Sequence, residues 1–208
     1  MSSRKTDGRT RSSTTGRHYH HGNLRAALIV AATAILKKNG VGALTLRAVA
    51  RGAGVSQTAP YRHFKDKSEL LAALAGEGFA GLTAAMLAAA DGIKDPTARL
   101  RALGRGYVIF AVANPAYLRL MFGPEIPEKS AHPELQTKAD AAYAVLSSAT
   151  KFQYESGSVA DPDLAAVASW SLVHGLANLL IDGQIKPEAL EGMDIDSFAD
   201  RVISFLAI

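Results

Sequence analysis

Apolar residues along this chain recur at three- and four-residue intervals, and no stretch alternates with the two-residue period of a half-buried strand. Leu24, Leu28, Ala31 and Ile35 fall on one face of a first helix, and Asn39-Gly40 supplies its stop. Thr45 is placed to cap a second helix, its hydroxyl free to accept an orphan backbone N–H. Leu46, Val49 and Ala50 then form the apolar face of a helix ending near Arg51. Beyond residue 66 the pattern predicts helices near 67–90, 96–113, 115–122, 132–155, 161–183 and 195–207. Asp95-Pro96 and Asp161-Pro162 mark two of these starts, each an N-cap followed by a residue already fixed at helical φ. The expected fold class is all-α, and 208 residues suffice for a small N-terminal unit plus a bundle with its own core.

The segment between the second helix and residue 67 carries the most chemistry. Gly52 and Gly54 flank Ala53, so the chain can reverse there, with Val55 plugging the angle of the corner. Ser56 offers a second N-cap hydroxyl, for a helix running to about His63, with Gln57, Thr58, Ala59, Tyr61 and Arg62 along its outer face. These residue types suit a major groove. Gln and Arg pair with base edges, Thr and Ala touch a thymine methyl, and Tyr and His hold phosphates. Asp66 should cap the next helix, whose first turn carries free amides and partial positive charge, placing Lys67 on a backbone phosphate. Pro60 removes one amide donor and should keep the recognition helix short. Similar helix pairs occur in proteins that never touch nucleic acid, so the spacing needs support from charge.

Residues 1–75 hold 13 Lys/Arg against 3 Asp/Glu, whereas residues 76–208 hold 10 against 16, for the chain's net +4. A basic first third on a mildly acidic remainder is the footprint of one unit that faces phosphate and another that does not. Residues 1–17, rich in Ser, Thr, Arg and Gly, are too polar to pack. They read as a disordered basic arm that either follows DNA through Arg4, Lys5, Arg9, Arg11 and Arg17 or serves only for solubility. His18, His20 and His21 lack a fourth ligand or a nearby acid, so no metal site is expected. A basic leader precedes the apolar run 26–36, but Lys37 and Lys38 follow at once with no small-residue cleavage site, which argues against secretion and for a cytoplasmic protein. With no cysteine, nothing calls for an oxidising compartment.

Leu164 to Ile181 is uncharged for eighteen residues, long enough to span a membrane. Ser169, Ser171, His174 and Asn178 interrupt it, and Asp161, Asp163 and Asp182 bound it, so a helix covered by its own domain and by a partner subunit is expected, with no membrane contact. Phe198, Val202, Phe205 and Leu206 on one stripe of the last helix would complete a four-helix dimer interface. Tyr107, Phe110, Tyr117, Met121, Phe122 and Tyr143, with Trp170, His174 and Asn178, are the candidates for an apolar effector pocket, although for any single one of them plain core is the commoner role. Gly76-Glu77-Gly78-Phe79-Ala80-Gly81 matches the dinucleotide fingerprint, but no strand precedes it and it lies inside a helical segment. No phosphate loop, HExxH, Glu-x-x-His pair or GxSxG elbow is present. No enzyme and no cofactor are expected.

From His20 to Leu71 the chain resembles the N-terminal domain of the TetR family of bacterial transcriptional regulators. HHGNLR opens helix 1, TLRAVARGAGVS spans helix 2 and its turn, and YRHFKDKSELL closes the unit. Trp170, His174 and Gly175 reproduce a Trp-x-x-x-His-Gly signature similar to a subtype of TetR C-terminal domain. The resemblance implies a helix-turn-helix DNA-binding domain over residues 18–75, followed over 76–208 by a helical bundle for effector binding and dimerisation. It implies a homodimeric repressor, released from a palindromic double-stranded operator when a small, largely apolar ligand binds. It also places Arg47, Gln57, Thr58, Tyr61, His63 and Lys67 at positions that contact DNA in such proteins. The competing expectation is a helical ligand-binding or scaffold protein with a degenerate DNA-binding motif.

Overall fold

In the computed structural model, residues 24–205 are described, apart from 156, 158 and 159. The basic arm, the three N-terminal histidines and Leu206 lie outside them. The described residues form eight α-helices and no strand: α1 (Leu24–Asn39), α2 (Leu46–Gly52), α3 (Lys67–Ala89), α4 (Pro96–Ala113), α5 (Pro115–Phe122), α6 (Pro133–Glu155), α7 (Pro162–Ile181) and α8 (Ile195–Ser204).

Local chemistry sets the helix starts. Thr45 Oγ1 accepts from the Ala48 amide at 3.0 Å, Asp66 Oδ1 from Glu69 at 2.9 Å, and Asp95 Oδ1 from Ala98 at 2.7 Å. Asp161 Oδ1 accepts from both Asp163 and Leu164. Each satisfies amides that the first turn leaves without a partner. Pro96, Pro115 and Pro162 occupy the first helical position, where a missing N–H costs nothing.

The head packs α1, α2 and the segment before α3 around Leu28, Ala32, Leu36, Leu44, Val49, Phe64 and Leu70, all 1% exposed or less. α3 continues from the head into the body without a break, packing on α4, α5 and α6, while α7 covers α4 and α6, and α8 closes over α4. Arg25 on α1 pairs with Glu134 on α6 at 2.9 Å, Thr33 Oγ1 shares a 2.8 Å hydrogen bond with the Tyr117 hydroxyl on α5, and Ser68 Oγ lies 3.2 Å from His132 Nε2, so polar contacts tie the head to the body. The Gly76–Gly81 run lies in mid-α3. A Cβ at Gly78 would stand 2.6 Å from Met121 Sδ and 2.9 Å from Tyr117 Cδ1, so this glycine lets α5 approach α3 and forms no phosphate loop.

Two helices have the length and hydropathy to cross a membrane, α3 and α7. In α3, 56% of that apolar window is buried inside the chain; in α7 only 28% is. Leu164 (68% exposed), Val167 (50%) and Leu179 (47%) form, with Ala168, Ser171 and Gly175, an uncovered stripe at helical spacing along α7.

Candidate DNA-binding face and effector cavity

The corner after α2 closes as a Schellman turn. Gly54 takes φ +68°, the Val55 amide donates to the Ala50 carbonyl at 3.0 Å, and the Gly54 amide donates to Arg51 at 3.1 Å. Val55 is half-buried against the head core. The recognition segment departs from the expected helix over Ser56–His63. Only Ala59–Arg62 is helical, as a single 3-10 turn. Pro60 is the physical reason. It has no amide to donate, its own ring is buried, and its carbonyl takes both the His63 and Phe64 amides at 2.9 Å. Ser56 does not act as the cap, because its hydroxyl bonds to that of Thr58 at 3.2 Å.

Despite the shorter turn, the expected side chains share one surface. Arg47, Ser56, Gln57, Thr58, Tyr61, Arg62 and Lys67 are exposed, and Ala59 and His63 are half-exposed. Tyr61, at 54%, is a large ring left in solvent by a segment that buries its neighbours Pro60 and Phe64. Residues 24–75 carry eight Lys/Arg against two Asp/Glu, and both carboxylates serve the backbone: Asp66 caps α3, and Glu69 accepts the Lys65 amide. Among the described residues, Arg47, Arg51, Arg62, Lys65 and Lys67 form no ion pair within the chain. The charge on this face is therefore unneutralised and faces water, the condition for binding phosphate.

In the body, a cavity of about 330 Å³ lies between α3, α4, α6, α7 and α8. Of the residues expected around a pocket, Tyr107, Phe122, Tyr143 and Trp170 line it. Phe122 is the hub, its ring centroid 5.5 Å from Phe79 and 5.9 Å from Trp170, with Tyr143 6.2 Å from Trp170. Phe110, Tyr117 and Met121 lie elsewhere. Phe110 packs over Gly81, Tyr117 is held by Thr33, and Met121 is fully buried against Gly78. His174 sits behind the wall, its Nδ1 2.7 Å from the Tyr107 hydroxyl, and with Asn178 lines a second, more open cavity of about 340 Å³. Burial pushes the Tyr107 pKa well above its ordinary value and lowers that of His174, so both are neutral near pH 7. Aliphatic residues supply most of the rest of the lining, Leu82, Met86, Leu100, Leu103 and Ile203 among them. Their spacing is that of ordinary core, so the sequence gives no sign of them. Lys129, also on the wall, carries no sequence signal.

An all-α chain with a helix-turn-helix head, an unpaired basic face and an apolar cavity in its body has the build of a ligand-binding bacterial regulator. The family model for "Bacterial regulatory proteins, tetR family" matches residues 28–74, and that for "Tetracyclin repressor-like, C-terminal domain" matches residues 100–206. The chain belongs to the TetR family of transcriptional regulators and is not an enzyme. A Rhodococcus sp. RHA1 protein of unknown function is similar over 93% of this chain and all of its own, at 33% identity and a TM-score of 0.74. The fold also matches a bacterial regulatory protein of the tetR family from Rhodococcus RHA1 (24% identity, 86% and 95% covered, TM-score 0.62). The TetR-family regulator PfmR of Thermus thermophilus shares it as well (21%, 85% and 97%, TM-score 0.61). No curated protein matches the sequence.

Proposed function

We propose that the protein is a cytoplasmic, homodimeric repressor that binds a palindromic operator and leaves it when a small, largely apolar effector enters the body. The observation that carries the DNA half is the exposed set of Gln57, Thr58, Tyr61, Arg62 and Lys67 beside cations without internal partners. In this reading Gln57, Thr58, Ala59 and Arg62 meet base edges. Arg47, Ser56, Tyr61, His63 and Lys67 hold the backbone, Lys67 in the first turn of α3. The division into a DNA-binding head (18–75) and an effector-binding, dimerising body (76–208) belongs to the same proposal. The bare apolar stripe on α7 supports dimerisation, because covering Leu164, Val167 and Leu179 removes apolar surface from water, and an isologous contact does so on both subunits.

The cavity supports effector binding: it is apolar, lies beside α5, and α5 touches the head through Tyr117 and Thr33. If effector and DNA favour different spacings of the two heads, each weakens the other by the same factor. The test is a mobility shift of the protein's own upstream DNA in excess competitor. A discrete complex weakened by salt is expected. Its absence there, and on DNA selected from random sequence, would return the chain to the reading of a helical ligand-binding protein with a degenerate motif.

A further inference from the structure

The main cavity is lined mostly by apolar groups, and Lys129 is the half-buried charge on its wall that has no counter-ion among the described residues. We propose that its effector is an elongated amphiphile with an anionic head group, the head against Lys129 and an alkyl tail running toward Leu100 and Ile203. This rests on the reading of the body as an effector domain and adds the chemical class.

Lys129 is half-buried, with Nζ 5.7 Å from the centroid of the Phe122 ring, and no carboxylate among the described residues lies within ion-pair distance. An ammonium taken out of water without a counter-charge is costly, and burial lowers the Lys129 pKa accordingly. The other cation on the wall, Arg101, is already paired with Asp200 at 3.2 Å. The wall's carboxylate, Asp140, is exposed and accepts from Gln136 at 2.7 Å. Lys129 is therefore the position where a ligand charge is wanted, and the sign is negative.

The shape favours a chain over a compact ring system. α3 and α4 run antiparallel, since Gly81 faces Phe110 and Gly106 faces Met86. Phe79, Phe122 and Tyr143 therefore lie at the Lys129 end, and Met86, Leu100 and Ile203 at the other. On α4 alone the lining extends from Thr97 to Tyr107, about 15 Å at 1.5 Å per residue. A cavity of about 330 Å³ with that reach is a slot.

Trp170, the chain's single tryptophan, lines the cavity and reports occupancy by its emission. Decanoate, decan-1-ol and decyltrimethylammonium are titrated into the full-length protein. Decanoate is expected to bind on the order of 10-fold more tightly than the alcohol, as for a hydrogen bond to a charged group, and the ammonium most weakly. Lys129→Met should equalise acid and alcohol, and Lys129→Arg should keep the preference. Equal binding by the wild type, or a preference that survives Lys129→Met, would overturn the head-group assignment and leave the effector cavity standing. Preference for the ammonium would overturn it in favour of Asp140. If none of the three alters Trp170 emission, the inference fails, and the mobility shift decides separately whether the protein is a regulator.

Discussion

Tyr61 and Lys67 are exposed on the basic face, which makes them residues whose loss should show chiefly in DNA binding. Tyr61→Ala or Lys67→Ala is expected to weaken binding to all sequences, and loss of Lys67 should reduce the slope of log K against log salt by about one. Gln57→Ala or Thr58→Ala should instead relax base preference, at about 1–3 kcal/mol per lost contact. Competition titrations with altered operators separate the two sets, and an unchanged salt slope removes Lys67 from the phosphate contacts. In the body, the folded pKa of His174 lies below its ordinary value near 6.5. As pH falls, the unfolded chain takes up the proton first, so stability is full above about 6.5 and declines through the window below it. Urea unfolding at pH 7.5 and 5.5 should show this loss, and His174→Asn should reduce it; equal pH dependence in the variant would assign the effect to other groups. The capping residues Thr45, Asp66, Asp95 and Asp161 were legible in sequence because a cap depends on three or four neighbours. Lys129 and Met86 were not, because what they face is decided by helices far away in the chain.

Among the elements, the recognition segment shows where local reading stops. Its side chains are on the expected surface, yet the expected helix is a single 3-10 turn, because Pro60 both lacks an amide and packs into the head. Periodicity placed the other helices within a few residues of their observed bounds, since each has its own cap and apolar face. The GxGxxG run illustrates the opposite case, a spacing whose meaning is set by packing. Gly78→Ala would drive a methyl into Met121 and into Tyr117, which Thr33 holds in place. A loss of about 1–3 kcal/mol is expected, read as a lower urea midpoint at constant slope. Unaltered stability would mean that α5 can move off α3 without cost.

For the whole molecule, the uncovered stripe on α7 and the charge asymmetry point to two surfaces with different partners, one apolar and one anionic. The eighteen-residue uncharged run was legible as a helix needing cover, but which face stays bare became visible only once α4 and α6 were seen to occupy the other side. Val167→Glu changes a residue that is 50% exposed in the single chain, so folding should change by no more than about 0.5 kcal/mol. In a dimer covered along α7 it buries a charge, and sedimentation should report monomers. Retention of a dimer would move the interface elsewhere. The central claim, that the basic head reads DNA in sequence as one of a pair, is tested most directly by a nuclease footprint on the protein's own upstream region and on DNA selected from random sequence. The account predicts protection of two related half-sites about 10 bp apart, centre to centre, one on each recognition segment. Uniform cleavage of both DNAs at protein concentrations that saturate non-specific binding would contradict it.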